Sequence, residues 1–266
     1  MYNDFYCMKE RPFSKTPDPR FLYLSKGHRE ALARLQYVAE EREIALLTGE
    51  IGCGKTTLSR ALMDSLGDEY RFCFIVNPRL SAVEFLRSIA RSLSPTAPAD
   101  DKESLLNQIA DALFLLHNEG VSPVLIVDEA QLVPDREIFD EIRLLTNYQL
   151  DDRNLLTVIL MGQPELRSML QNPVYEPLRQ RITMQFHLLP LEMDDVQDYL
   201  DFRLETAGGG AGLFSPDAVQ RIFELSEGVP RRINLIATNA ILEGYGNDAA
   251  LIDAAIVESV ASELLI

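Results

Sequence analysis

Gly49-Glu50-Ile51-Gly52-Cys53-Gly54-Lys55-Thr56-Thr57 follows directly on an apolar run, 44–48, and leads directly into an amphipathic segment. Strand, then G-x-x-x-x-G-K-T, then helix is the context that a phosphate-binding loop requires. The glycines let the backbone curl so that several N–H groups point inward at a β-phosphate. The N-terminus of the following helix adds its partial positive charge. Lys55 would reach the β- and γ-phosphates, and the Thr56 hydroxyl would take one position on Mg²⁺.

Around this loop the chain alternates. Strands are expected at 44–48, 71–77, 124–127, 155–161 and 182–188. Helices are expected at 55–66, closed by Gly67, at 81–93, 102–117 and 135–148, with short ones at 165–170 and 176–180. Ser81 with Glu84 three positions on forms a capping box, and 94–101 (SPTAPADD) is a loop inside one crossover. The second strand is expected to be apolar on both faces, as in the interior of a parallel sheet. Such alternation predicts an α/β fold: a five-stranded parallel sheet of right-handed βαβ units with helices on both faces.

After Pro190 the alternation stops. Segments 193–206, 215–226, 230–243 and 252–264 all carry helical spacing, and Ser215-Pro216 and Val229-Pro230 place proline at helix starts. We therefore expect two domains, a lead-in and α/β core over 1–189 and an all-helical lid over 190–266.

Composition narrows the setting. With 266 residues, 47% of them hydrophobic, the chain can bury one large core or a core and a satellite. No run of 18 apolar residues is present, so no membrane insertion is expected. The first residues lack the charged and apolar regions of a signal peptide. Cys7, Cys53 and Cys73 offer neither a disulfide framework nor metal spacing, which fits a reducing cytoplasm. His28, His117 and His187 form no ligand or triad pattern and read as packing or surface residues. The formal charge of −16 opposes binding to phosphate backbones, so DNA is a disfavoured partner.

Val124-Leu125-Ile126-Val127-Asp128-Glu129 is the second motif: an aliphatic strand ending in two carboxylates. Asp128 would hold Mg²⁺, directly or through water, and Glu129 would polarise the attacking water. Gln163, after the fourth strand, either reports on the γ-phosphate and lytic water or caps the next helix. Arg179 and Arg181 either pair with an acidic surface or face a neighbouring subunit's nucleotide. In Gly228-Val229-Pro230-Arg231-Arg232, cations at a helix start oppose the macrodipole, so a compensating anion is expected. Cys53, near a helix N-terminus, is either an acidified, oxidisable thiol or simply a small residue that the loop tolerates.

Phosphate loop, Asp-Glu strand, polar fourth-strand end, paired arginines and a GxPRR helix, in this order, resemble the AAA+ ATPases. More narrowly, Phe5-Tyr6, Pro12-Phe13-Ser14 and the run from Thr16 to Ser25 look like the lead-in of the ExeA-type general secretion pathway ATPases. So do Leu160-Met161-Gly162-Gln163-Pro164-Glu165-Leu166 and Leu178-Arg179-Gln180-Arg181-Ile182. The resemblance covers essentially the whole chain. It implies ATP and Mg²⁺ as cofactors, with 49–57 as Walker A, Asp128 and Glu129 as Walker B, and Gln163 in the first sensor position. It implies Arg181, with Arg179 second, as a finger acting in trans, and Arg231 as the second sensor. Adenine would lie near Tyr23 and Leu24.

The family further implies a homo-oligomer or ring in the cytoplasm, recruited to the inner membrane through a secretion or export partner. Many ExeA-type chains continue into a membrane span and a periplasmic domain. This sequence is expected to be either the ATPase part of such a protein or a stand-alone relative, as in exopolysaccharide systems. Two other readings stay open at this point: a DNA-handling AAA+ regulator, and a scaffold that binds ATP without hydrolysing it.

Overall fold

The computed structural model describes residues 2–14, 18–150 and 153–264. Thr16 and Pro17 of the lead-in block and residues 265–266 of the expected lid lie outside them. In chain order the first half holds α1 (Tyr2–Phe5), α2 (Lys26–Glu41), β1 (Ile44–Gly49), α3 (Lys55–Ser65), β2 (Tyr70–Ile75), α4 (Ala82–Leu93), α5 (Lys102–Asn118) and β3 (Ser122–Val127). Then come α6 (Arg136–Leu145), β4 (Gln149–Leu150), β5 (Arg153–Asn154), β6 (Thr157–Gly162), α7 (Pro164–Leu170), α8 (Glu176–Arg179) and β7 (Ile182–Leu188). Four helices follow: α9 (Met193–Thr206), α10 (Pro216–Ser226), α11 (Pro230–Gly246) and α12 (Ala254–Leu264).

The chain divides into two compact units: Glu30–Gly49 with Ser59–Leu188, and Met1–Arg29 with Glu50–Leu58 and Leu189–Ile266. The first unit is built on a five-stranded sheet in the order β2-β3-β6-β1-β7, each neighbouring pair parallel. Every residue of β1 and of β6 is buried, which is why both read as unbroken apolar runs. Because the strands are parallel, Gly49, Asp128 and Gln163, each at or just past a strand's end, share one edge of the sheet. The core of this unit joins β1, β3 and β6 to the apolar faces of α4, α5 and α6, with Phe85, Ile109 and Phe139 at its centre.

Three local expectations are corrected here. β2 is an edge strand, so Cys73 and Ile75 are buried while Phe72 and Phe74 are only half-buried, not apolar-packed on both faces. The helix expected over 135–148 ends at Leu145, and Gln149–Leu150 pairs antiparallel with Arg153–Asn154 in a short hairpin. α2 was not expected at all, although Ser25 accepts the His28 backbone N–H as its cap and Ala31, Leu35, Val38 and Ala39 are buried at helical spacing. The capping box at Ser81 and Glu84 forms as the sequence predicts.

In the second unit α9 to α12 enclose an apolar core around Leu200, Ile222, Ile236 and Val257. The lead-in packs on these helices. Phe13 meets Phe214 edge-on at 6.3 Å, and the Tyr6 hydroxyl donates to the Ala249 carbonyl at 2.9 Å. Arg203 of α9 is buried, donating to the Pro12 carbonyl at 2.7 Å and the Phe21 carbonyl at 3.4 Å. Its guanidinium lies over the rings of Phe13, Phe21 and Tyr199. A desolvated cation is tolerable there because carbonyl dipoles and ring faces replace its water.

Candidate functional site

Gly52 and Gly54 sit at φ +90° and +96°, a region open to glycine and costly for any residue with a Cβ. Between them Cys53 is fully buried, its N–H donating to the Glu50 carbonyl at 3.3 Å. Burial raises the Cys53 thiol pKa, outweighing Lys55, so the acidified, oxidisable thiol is not what forms here. Cys53 is a small residue filling a closed turn. Lys55 is buried, and its Nζ donates to the Glu50 carbonyl at 3.0 Å. Thr56 and Thr57 lie in the first turn of α3, which is closed by the Leu58 N–H donating to the Gly54 carbonyl at 2.8 Å. Glu50 and Ile51 are exposed at the loop's tip.

Two further contacts reach this loop within its unit. Arg231, exposed in the first turn of α11, donates its backbone N–H to the Gly52 carbonyl at 3.3 Å. This satisfies one of the amides that a helix start leaves open, at a terminus with no side-chain cap. The anion expected beside the two arginines is Glu227, 2.9 Å from Arg232. The second contact comes from His28, whose Nε2 lies 3.0 Å from the Cys53 carbonyl and Nδ1 2.8 Å from Ser25 Oγ. A carbonyl only accepts, so Nε2 carries the proton and Nδ1 accepts the serine hydroxyl. Desolvation lowers the His28 pKa and keeps this ring neutral. The histidine read as a packing residue is thus bonded to the phosphate loop. Its signal was local: S-x-x-H at a helix start just ahead of the loop's strand.

Tyr23, half-buried, packs edge-on to Tyr199 at 6.0 Å and donates its hydroxyl to Asp195 at 3.3 Å. Burial, then Asp195, pushes its pKa up to about 12. The Leu24 carbonyl accepts from Arg29.

The sheet-edge unit gathers the carboxylates. Asp128 is buried; its backbone N–H continues the ladder to the Ile75 carbonyl at 2.9 Å, and its Oδ1 accepts the Glu129 N–H at 2.9 Å. Glu129 then turns left-handed, at φ 51° and ψ 40°, which ends the strand and starts a 3-10 turn over Ala130–Leu132. Gln163 reaches Glu129, its Nε2 donating to Oε2 at 3.0 Å. The Gln163 side chain thus lies on the carboxylate and makes no cap bond to α7. Gln131 also donates to Glu129 Oε2, at 2.5 Å, and accepts the Gln163 backbone N–H at 3.2 Å. The sequence reading passed over Gln131, although it lies only two residues beyond Glu129.

The arginine pair is divided by its partners. Arg181 donates through Nη1 to the Arg143 carbonyl and to Thr146 Oγ1, both at 2.8 Å, and so closes the C-terminus of α6. Arg179 pairs with Glu176 on α8 and lies 3.5 Å from the Gln171 carbonyl.

Among the described residues no three His, Cys, Asp or Glu gather as a metal cage. Mg²⁺ draws most of its ligands from water and phosphate, and a hydroxyl and one buried carboxylate suit it as hard oxygen donors. No helix of the described residues is long and apolar enough to cross a membrane.

Residues 38–170 match the family model described as AAA domain. The chain is 42% identical over 248 residues to general secretion pathway protein A of Aeromonas hydrophila, covering 92% of this chain and 45% of that protein. It is 27% identical over 160 residues to an uncharacterised HTH-type transcriptional regulator of Methanocaldococcus jannaschii, covering 57% and 38%. It therefore spans less than half the length of either curated relative. The crystal structure of Cdc6p from Pyrobaculum aerophilum superposes with a TM-score of 0.72 at 19% identity, over 95% of this chain and 70% of that one, a likeness of fold. With a phosphate loop after β1, a carboxylate pair after β3, the parallel order β2-β3-β6-β1-β7 and a helical C-terminal region, the chain belongs to the AAA+ ATPases, in the AAA domain family.

Proposed function

We propose that this protein is a Mg²⁺-dependent ATPase that uses hydrolysis as a conformational switch, with 1–189 as lead-in and α/β core and 190–266 as lid. The observation that carries this reading is Glu129: a carboxylate beside Asp128 at the sheet edge, held by the Gln163 amide, in a chain whose first strand runs into a phosphate loop. A nucleotide binder with no need for turnover has no use for a second, oriented carboxylate there.

In this mechanism the amides of 49–57 and Lys55 bind the phosphates, and Thr56 and Asp128 would hold Mg²⁺. Held there, the ion would supply charge neutralisation for the triphosphate. Glu129 accepts a proton from water as its oxygen bonds to the γ-phosphorus, the bond to the β–γ bridging oxygen breaks, and ADP leaves with that electron pair. Gln163 senses the γ-phosphate or the attacking water. Arg231 reaches the phosphates from α11, which already touches Gly52, and Tyr23 and Leu24 border the adenine. Arg181 or Arg179 completes the site of a neighbouring subunit in a homo-oligomer.

The similarity to general secretion pathway protein A supports a place in assembling a secretion or envelope-polysaccharide export system, on the cytoplasmic side of the inner membrane. The test is titration calorimetry with ATP and Mg²⁺, joined to phosphate release by wild type and Glu129→Gln. Binding by both with turnover only in wild type is expected; no binding heat removes the ATPase reading, and binding without release leaves the scaffold. The relative named as a transcriptional regulator favours a second reading, a DNA-handling regulator. The net charge of −16 weighs against it, and absence of ATP-dependent DNA binding at low salt would exclude it.

A further inference from the structure

We propose that Gln131 is a positioning residue for Glu129, coupling the carboxylate to Gln163; the inference rests on the ATPase reading of the site. Three residues close a ring. Gln131 Nε2 and Gln163 Nε2 both donate to Glu129 Oε2, at 2.5 and 3.0 Å, while Gln131 Oε1 accepts the Gln163 backbone N–H at 3.2 Å. Only one orientation of the Gln131 amide satisfies both neighbours, because a carboxylate needs a donor and a backbone N–H needs an acceptor.

The backbone is shaped for this contact. Glu129 occupies the left-handed region, which carries a cost for a residue with a side chain, and the 3-10 turn over Ala130–Leu132 then swings Gln131 back toward the sheet edge. Gly162, the last residue of β6, leaves the space that Gln131 enters: a Cβ there would lie 2.5 Å from Gln131 Oε1. The amide is therefore wedged between the carboxylate it orients and the strand end that carries Gln163.

The chemistry follows from which oxygen is held. Two N–H donors on Oε2 fix the plane of the carboxylate. That directs Oε1 to the water, as a general base requires. A shift of Gln163 reaches the carboxylate by two routes, through its own amide and through Gln131.

The experiment compares kcat and ATP affinity for wild type, Gln131→Leu and Gln131→Glu, with thermal melting as the check on folding. Gln131→Leu should lower kcat at least tenfold with ATP affinity within twofold. Gln131→Glu should lower kcat as far with affinity likewise kept, because a carboxylate cannot donate to Glu129. If wild type turns over ATP and both variants keep its kcat, the inference fails alone. If kcat and affinity fall together with the melting temperature, Gln131 is structural and the inference also fails. If wild type itself releases no phosphate, the ATPase reading falls and takes this one with it.

Discussion

The backbone N–H of Arg231 donates to the carbonyl of Gly52 at 3.3 Å, and a Cβ on Gly52 would stand 2.5 Å from the Cβ of Arg231. The helix start and the phosphate loop thus meet backbone to backbone, at a glycine that cannot be replaced without moving one of them.

Gly52→Ala should accordingly weaken ATP binding tenfold or more. The left-handed φ and the close contact together cost about 1–3 kcal/mol, and the strain falls on the loop that cradles the phosphates. Titration calorimetry with ATP and Mg²⁺ reads it; an affinity equal to wild type would mean that the loop adapts freely.

His28 makes a prediction in pH. Its folded-state pKa lies below the ordinary 6.5, because burial disfavours the charged ring. Below pH 6.5 the unfolded chain takes up a proton that the folded chain resists, so the stability it contributes is present above that pH and lost as pH falls through the window beneath it. Wild type should lose melting temperature between pH 7.5 and 5.5, and His28→Gln should flatten that loss. The glutamine amide can still donate to the Cys53 carbonyl, whereas His28→Ala leaves that carbonyl unpaired, at about 1–3 kcal/mol. Equal pH dependence in wild type and His28→Gln would remove the histidine from this role.

Arg181 and Arg179 should separate by what they break. Arg181→Ala removes two bonds at the end of α6 and should cost about 1–2 kcal/mol in denaturant unfolding. Arg179→Ala removes a half-exposed ion pair with Glu176 and should cost no more than about 1 kcal/mol. Each is then mixed with Lys55→Ala protein. Recovery of turnover in a mixture assigns the trans role to that arginine, and no recovery in either, with both folded, argues against a trans finger.

Arg203→Leu should release the lead-in from α9. The Pro12 and Phe21 carbonyls lose their donor, and three aromatic rings lose the cation between them. Limited proteolysis should then cut within the first 25 residues faster than in wild type; an unchanged rate would place the anchoring in the Phe13–Phe214 contact instead.

Much of the architecture was readable in advance because its causes are local. Unbroken apolar runs at β1 and β6 mark strands buried on both faces, and Ser81 with Glu84 marks a helix start. β2 misled because Phe72 and Phe74 look like core residues, while only strand order reveals that they stand at an edge. α2 went unread although its cap and apolar spacing are both present in the sequence. Gln131 and His28 were missed for a different reason. Each is a common residue in an ordinary place, and its significance lies in hydrogen bonding that is completed only across the fold.

The order of residues alone settled the chemistry on offer: a glycine-rich turn with a lysine, a strand tip with two acids, and a helical tail. Those are short-range properties, set by which side chains occupy consecutive positions and by the period of their hydrophobicity. Partnership was decided only when the chain folded. That Glu129 is held by Gln131 and Gln163, that Cys53 is sealed and His28 bonded to its carbonyl, and that Arg181 closes a helix of its own subunit depend on residues up to 38 positions apart. Hydrogen bonds act over about 3 Å, and no pattern along the chain specifies which distant groups come within that reach.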